Sequence, residues 1–101
     1  MSSARLEASG QGKASLSGEL TFESVPSLVA AIEPLLDSAT VLELNLSGVS
    51  RSDSAGVALL VSWERKVRSK AASISYTGVP EQLLGLARVS GVEQILFPDT
   101  H

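Results

Sequence analysis

The 101-residue chain contains no cysteine, which excludes a disulfide scaffold, a thiolate nucleophile and a sulfur-ligated metal and suits a reducing compartment. Its one histidine is His101, the last residue, so no imidazole base lies within the body of the chain to activate a serine. Positive charge is scarce as well. Eight Lys and Arg against eleven Asp and Glu give a net charge of −3, the wrong balance for a surface that grips a phosphate backbone, so nucleic acid is not an expected partner. No apolar run approaches the roughly 18 residues that would span a bilayer. The start, Met1 to Glu7, lacks the apolar stretch of a secretory signal. A cytoplasmic protein without direct membrane insertion is expected. Gly48 and Gly56 are not followed by a Lys at Walker spacing, and no metal-ligand spacing is present. Neither a cofactor nor a metal is therefore expected.

A hydrophobic content of 44% with 19% charged residues predicts one domain over residues 1–101, with one core. The stretch that organises it is Ser47 to Gly56, where four serines, an aspartate and two glycines fall within ten residues. Its position, between the apolar run Val41 to Leu46 and the helical segment Val57 to Val67, predicts a strand, a tight polar loop and an exposed helix start.

Arg5 to Ala8 and Ala14 to Leu20 alternate polar and apolar about Ser9 to Lys13, which predicts a hairpin. Ser24 is a candidate cap for a first helix with Pro26 in its first turn, carrying Leu28, Val29, Ile32, Leu35 and Leu36 at helical spacing. Pro34 removes the donor that would bond Ala30 and predicts a kink or an early last turn. Val41 to Leu46 reads as an interior strand. A second helix then runs from about Ser54 to Lys70, with Val57, Leu60, Val61 and Val67 on its apolar arc and Leu59 and Trp63 at the flank. Ser73 to Thr77 predicts a further strand, and a third helix carrying Leu83, Leu84, Leu86 and Ala87 ends near Gly91. Val92 to Phe97 forms either a last short strand or a packed extension. The order predicts an α/β fold: a mixed four- to five-stranded sheet that begins with an antiparallel hairpin, packed by about three helices.

At the start of the second helix, Asp53-Ser54-Ala55-Gly56 sets a hydroxyl beside unpaired amides and the positive end of a helix dipole. Asp53 or Ser54 as a simple cap is one reading, and an anion or a phosphoryl group on Ser54 is the other. Ser54 as a nucleophile has no base, since Lys66 and Lys70 lie several turns away, and no catalytic residue is assigned. Trp63 is either a core residue or, beside Arg65 and Lys66, an interface anchor. Arg65, Lys66, Arg68 and Lys70 match the negative end of the helix dipole.

Leu16-Ser17-Gly18-Glu19-Leu20, Leu44-Asn45-Leu46-Ser47-Gly48-Val49 and Asp53-Ser54-Ala55-Gly56-Val57-Ala58-Leu59-Leu60 together resemble the STAS domain family, over nearly the whole chain. Leu16 to Leu20, Val49 to Asp53, Gly56 to Leu60 and Gly78-Val79 through Leu96 are most similar to its MlaB-like branch, small subunits of phospholipid-transport ABC systems. The resemblance implies a non-enzymatic binding module. It implies an MlaF-like ATPase as partner, in a complex with an MlaE-like permease and an MlaD-like protein, which would hold the chain beside the inner membrane and serve outer-membrane lipid asymmetry. Ser52, Asp53, Ser54, Ala55 and Gly56, extended by Leu59 and Trp63, would form the partner-binding surface. Ser54-Ala55-Gly56 is closer to the form found in anti-sigma-factor antagonists, in which the matching serine is the phosphoacceptor. The alternative implied function is thus an antagonist regulated by phosphorylation of Ser54.

Overall fold

Polar and apolar alternation starts the chain as two strands, β1 (Arg5–Gly10) and β2 (Lys13–Leu20), joined through Gln11 and Gly12 in a computed structural model that describes residues 4–98. Gly12 has φ 74°, and a Cβ on it would lie 2.8 Å from the Val41 carbonyl oxygen, so the turn requires glycine. Helix α1 (Glu33–Ser38) precedes β3 (Val41–Ser52), and helix α2 (Ser54–Ser69) follows it. Strand β4 (Ser73–Thr77) and helices α3 (Glu81–Val89) and α4 (Glu93–Leu96) complete the order. The sheet order is β1-β2-β3-β4, antiparallel between β1 and β2 and parallel thereafter. This is the expected mixed α/β fold with four strands, because the apolar tail packs as α4 and adds no fifth. His101 lies outside the described residues.

Leu42, Leu44 and Leu46 of β3 face the core, where they join Leu16, Leu60, Trp63, Val67, Leu83 and Ala87. Glu43, Asn45 and Ser47 on the other face are exposed. The expected loop from Ser47 to Gly56 is instead mostly strand. β3 runs on to Ser52, and Asp53 alone separates it from α2. Two bulges explain how so polar a stretch stays in the sheet. Ser15 and Ser17 pair with Asn45 and Gly48, and Gly18 and Glu19 pair with Val49 and Arg51, so β3 carries an extra residue at each step. The first bulge flips the strand's parity, which buries Val49 while Gly48 and Ser50 stay exposed. The second flips it back and buries Ser52.

The first expected helix is also broken. Val25–Ser27 forms a single 3-10 turn, and successive turns lead to α1, where Pro34 stands at the start. Leu28, Ala31 and Glu33 donate to carbonyls three residues back, at Val25, Leu28 and Ala30. Pro34 lacks the amide that would extend a four-residue ladder to Ala30, so it begins a helix here and does not end one. Ser24 is not a side-chain cap. Its hydroxyl donates to the Glu19 carbonyl at 2.7 Å and accepts from the Thr21 amide at 2.9 Å, tying the broken segment to the end of β2.

Helix α2 is continuous because both of its ends are closed. Asp53 Oδ1 accepts from the Ala55 amide at 2.8 Å. At the far end Ala72 donates to Val67 and Ala71 to Arg68, a Schellman pair that holds Ala71 at φ 55°. Lys66 and Lys70 reach Glu33 at 2.5 and 3.7 Å, and the hydrogen bond and charge of Lys66 hold the Glu33 carboxyl below its usual range.

Candidate functional site

The candidate site lies where the ends of β2 and β3 meet the start of α2. Leu20 pairs with Ser52, and the Asp53 amide donates to the Leu20 carbonyl at 2.9 Å. At this end β3 has lost β4 as a neighbour, since that pairing stops at Asn45 and Thr77. The side chain of Gln82 takes the vacant place. Its Oε1 accepts from the Ser52 amide at 2.9 Å, and its Nε2 donates to the Ser52 carbonyl at 2.7 Å, the same two bonds a neighbouring strand would make. The Ser52 hydroxyl donates to the Asp53 carbonyl at 2.9 Å.

Gly56 lets α2 begin this close to the strands. A Cβ on it would lie 2.0 Å from Ser52 Oγ and 2.8 Å from Leu20 Cβ, so only glycine fits the crossing. Its amide also donates to the Asp53 carbonyl at 3.0 Å. The result is a rigid strand-to-helix corner that presents the first turn of α2 outward.

The expected contact residues separate into two groups. Ser54 is exposed and Asp53 half-buried, whereas Ser52, Ala55 and Gly56 are buried beneath them as support. Leu59 and Trp63, expected to extend the surface, are 1% and 0% exposed and belong to the core. The correction has a physical cause: α2 packs against the sheet, the broken segment of residues 21–38, α3 and α4, so its buried arc is wider than a single packing face. Trp63 Nε1 donates to the carbonyls of Leu28 and Val29, both at 3.2 Å, and pins that segment to α2.

The structure adds surface residues that the sequence reading missed. Ala58, one turn beyond Ser54, is exposed and extends the helix face at i+4. Phe22 follows β2 by two residues and is 72% exposed. Both carried a signal, a small residue at helical spacing from Ser54 and an aromatic in a polar turn. Gln82 carried none, because it meets Ser52 from thirty positions away.

Among the described residues no side chain hydrogen-bonds the Ser54 hydroxyl. Lys66 and Lys70 are held by Glu33 at the other end of α2, roughly 18 Å or more along the axis at 1.5 Å per residue. What this corner can offer is a hydroxyl at the positive end of a 16-residue helix. Away from it, a cavity of about 360 Å³ lies against β4, lined by Ile74, Tyr76, Ile95, Phe97 and Glu64. Burial raises the Glu64 carboxyl above its usual range, against the lowering effect of Arg68 at 3.9 Å. Burial likewise pushes up the Tyr76 phenol, with the Glu64 charge adding to it. No helix among the described residues is long and apolar enough to cross a membrane.

A family model described as "Mlab, STAS domain" matches residues 4–98. Among solved structures, the fold is similar to the anti-sigma factor antagonist SpoIIAA in its unphosphorylated form, with a TM-score of 0.72 and 20% identity over 93% of this chain and 85% of that one. The Bacillus cell fate determinant SpoIIAA in its phosphorylated form gives a TM-score of 0.67 at 20% identity, over 93% of this chain and 88% of that one. No curated protein matches the chain in sequence.

Proposed function

The chain belongs to the STAS domain family, and from that membership we propose that it is a non-enzymatic accessory subunit that binds the ATPase of a phospholipid-transporting ABC system. The ATPase is MlaF-like and works with an MlaE-like permease and an MlaD-like protein. The chain supports the assembly and activity of that complex, and through it outer-membrane lipid asymmetry. It is held at the cytoplasmic side of the inner membrane by its partner and inserts no segment of its own. ATP binds to the partner and not to this chain.

One observation carries this reading. At the strand-to-helix corner the start of α2 forms a small outward patch, with Ser54 and Ala58 exposed over the buried Ser52, Ala55 and Gly56. Such a patch suits docking of another protein, and the description of the matching family model names Mlab. Affinity purification of the tagged chain from its native cells, followed by mass spectrometry, tests it. Recovery of an ABC ATPase with its permease and a lipid-binding subunit is expected. Recovery of a kinase and sigma-regulatory proteins alone would overturn it.

A second reading, an anti-sigma-factor antagonist switched by phosphorylation, is favoured by the contrast between the serines that flank Asp53. Ser52 is 2% exposed and bonded, while Ser54 is open to a kinase. A phosphoryl group there would add about −1.5 to −2 charges beside Asp53 and repel a partner that accepts the bare hydroxyl. Intact-mass measurement of protein taken from cells under several growth conditions decides this. An increment of about 80 Da, one phosphoryl group, that peptide mapping then places on Ser54 supports the switch, and its absence throughout removes it.

A further inference from the structure

We infer that Phe22 is the apolar anchor of the docking surface, and that its partner presents an apolar pocket bordered by Lys or Arg. This rests on the proposed docking role of the α2 start and adds which residue and which partner chemistry make the contact.

Single exposed apolar residues are ordinary and carry no message alone. Val89 is 89% exposed at the end of α3, and Ile95 is 48% exposed on α4. Phe22 differs in size and in place. It is an aromatic side chain, 72% exposed, two residues beyond Leu20, whose carbonyl accepts from Asp53. The turn that carries it is firmly held. Thr21 Oγ1 accepts from the amides of Glu23 and Ser24 at 3.2 and 3.3 Å, and the Ser24 hydroxyl is tied to Glu19. An exposed phenyl ring on a fixed turn loses little conformational freedom when it enters a pocket, the condition under which aromatic residues act as hot spots.

The charge around it defines the partner. Glu23 and Glu81 are exposed and Asp53 is half-buried at this end, against the exposed Arg51. Glu81 is placed here by its neighbour Gln82, whose side chain clasps Ser52. The opposite end of α2 carries Arg65, Lys66, Arg68 and Lys70, four positive charges against the two carboxylates Glu33 and Glu64 that pair with Lys66, Lys70 and Arg68. The end bearing Phe22 and Ser54 is therefore the acidic one, and a basic rim on the partner would steer and orient the encounter.

A photo-crosslinking phenylalanine analogue placed in the full chain at position 22, 54 or 89, and irradiated in native cells, tests the inference. Crosslinks from 22 and 54 to the same ABC ATPase are expected, with the peptide caught by position 22 containing Lys or Arg, and none from 89. The purified variant Phe22→Ala is expected to bind that ATPase at least tenfold more weakly at an unchanged melting temperature. Crosslinking from 54 without 22, equal capture by 22 and 89, a second copy of this chain caught at 22, or wild-type affinity in Phe22→Ala would each overturn the inference and leave the docking role of α2 standing. Failure of both 22 and 54 to reach an ATPase would overturn the two together.

Discussion

The two halves of β3 are built on different principles. Glu43, Leu44 and Asn45 pair with strands on both sides, and Leu42, Leu44 and Leu46 alternate strictly into the core. Gly48 to Ser52 pair with β2 alone, step out of alternation at two bulges, and end against the amide of a glutamine side chain. The first half is held by pairing on both sides and by leucines packed at every inward position. The second is held by hydrogen bonds and a missing Cβ, which leaves its outward positions free to be serine and arginine. A strand that continues past its core-forming part in this way delivers a rigid corner to the surface, and that corner is where the candidate site stands.

The contrast can be broken from either side. Leu44→Ala, at a fully buried position, is expected to cost about 2–5 kcal/mol in urea unfolding through lost burial and a cavity. Gly56→Ala is expected to cost about 1–3 kcal/mol, because the new methyl meets Leu20 Cβ as well as the Ser52 hydroxyl and only the latter can rotate away. Equal stability in Gly56→Ala would show that the helix start is not packed as tightly as described. Gln82→Ala is expected to cost about 1–2 kcal/mol by unpairing the Ser52 amide and carbonyl. Its signature is local: faster hydrogen exchange at Ser52, with Leu44 unchanged.

The smallest effect lies outside both halves and depends on pH. The folded protein holds the Glu64 carboxyl above its ordinary value of 4.5 by burial, so the folded state binds that proton more tightly than the unfolded chain does. Stability contributed by the group is therefore lost as pH rises from the ordinary value through the raised one. Glu64→Gln is expected to melt with the wild type below that window and above it in temperature at neutral pH. A difference of the same size at every pH would contradict the assignment.

Much of this architecture was legible because the core half of each element obeys a simple period. The hairpin, β4, α2 and α3 follow from alternation or helical spacing, and Gly91 closes α3 as expected, at φ 77° with Val92 donating back to Ala87. The continuation of β3 was not legible, because a bulged strand paired on one side shows neither alternation nor hydrophobicity. Leu59, and Trp63 in its reading as an interface anchor, were misplaced because a helical projection assumes one buried face, whereas α2 is packed by the sheet, the segment of residues 21–38, α3 and α4. The broken segment of residues 21–38 shows the converse: its apolar spacing is helical, but Pro34 and tight three-residue turns replace the ladder. Within the site, Asp53 as cap and Ser54 as the exposed hydroxyl were readable from local chemistry, whereas Gln82 depends on a contact only the fold creates.

The central claim is that the outward face of the α2 start, and not its buried arc, meets the partner. Ala58→Arg tests it most directly, since arginine is a good helix former at an exposed position and should leave the fold intact. Titration calorimetry of the purified chain with the proposed ATPase partner is predicted to show at least a tenfold weaker affinity for Ala58→Arg at an unchanged melting temperature. Wild-type affinity in that variant would contradict the account.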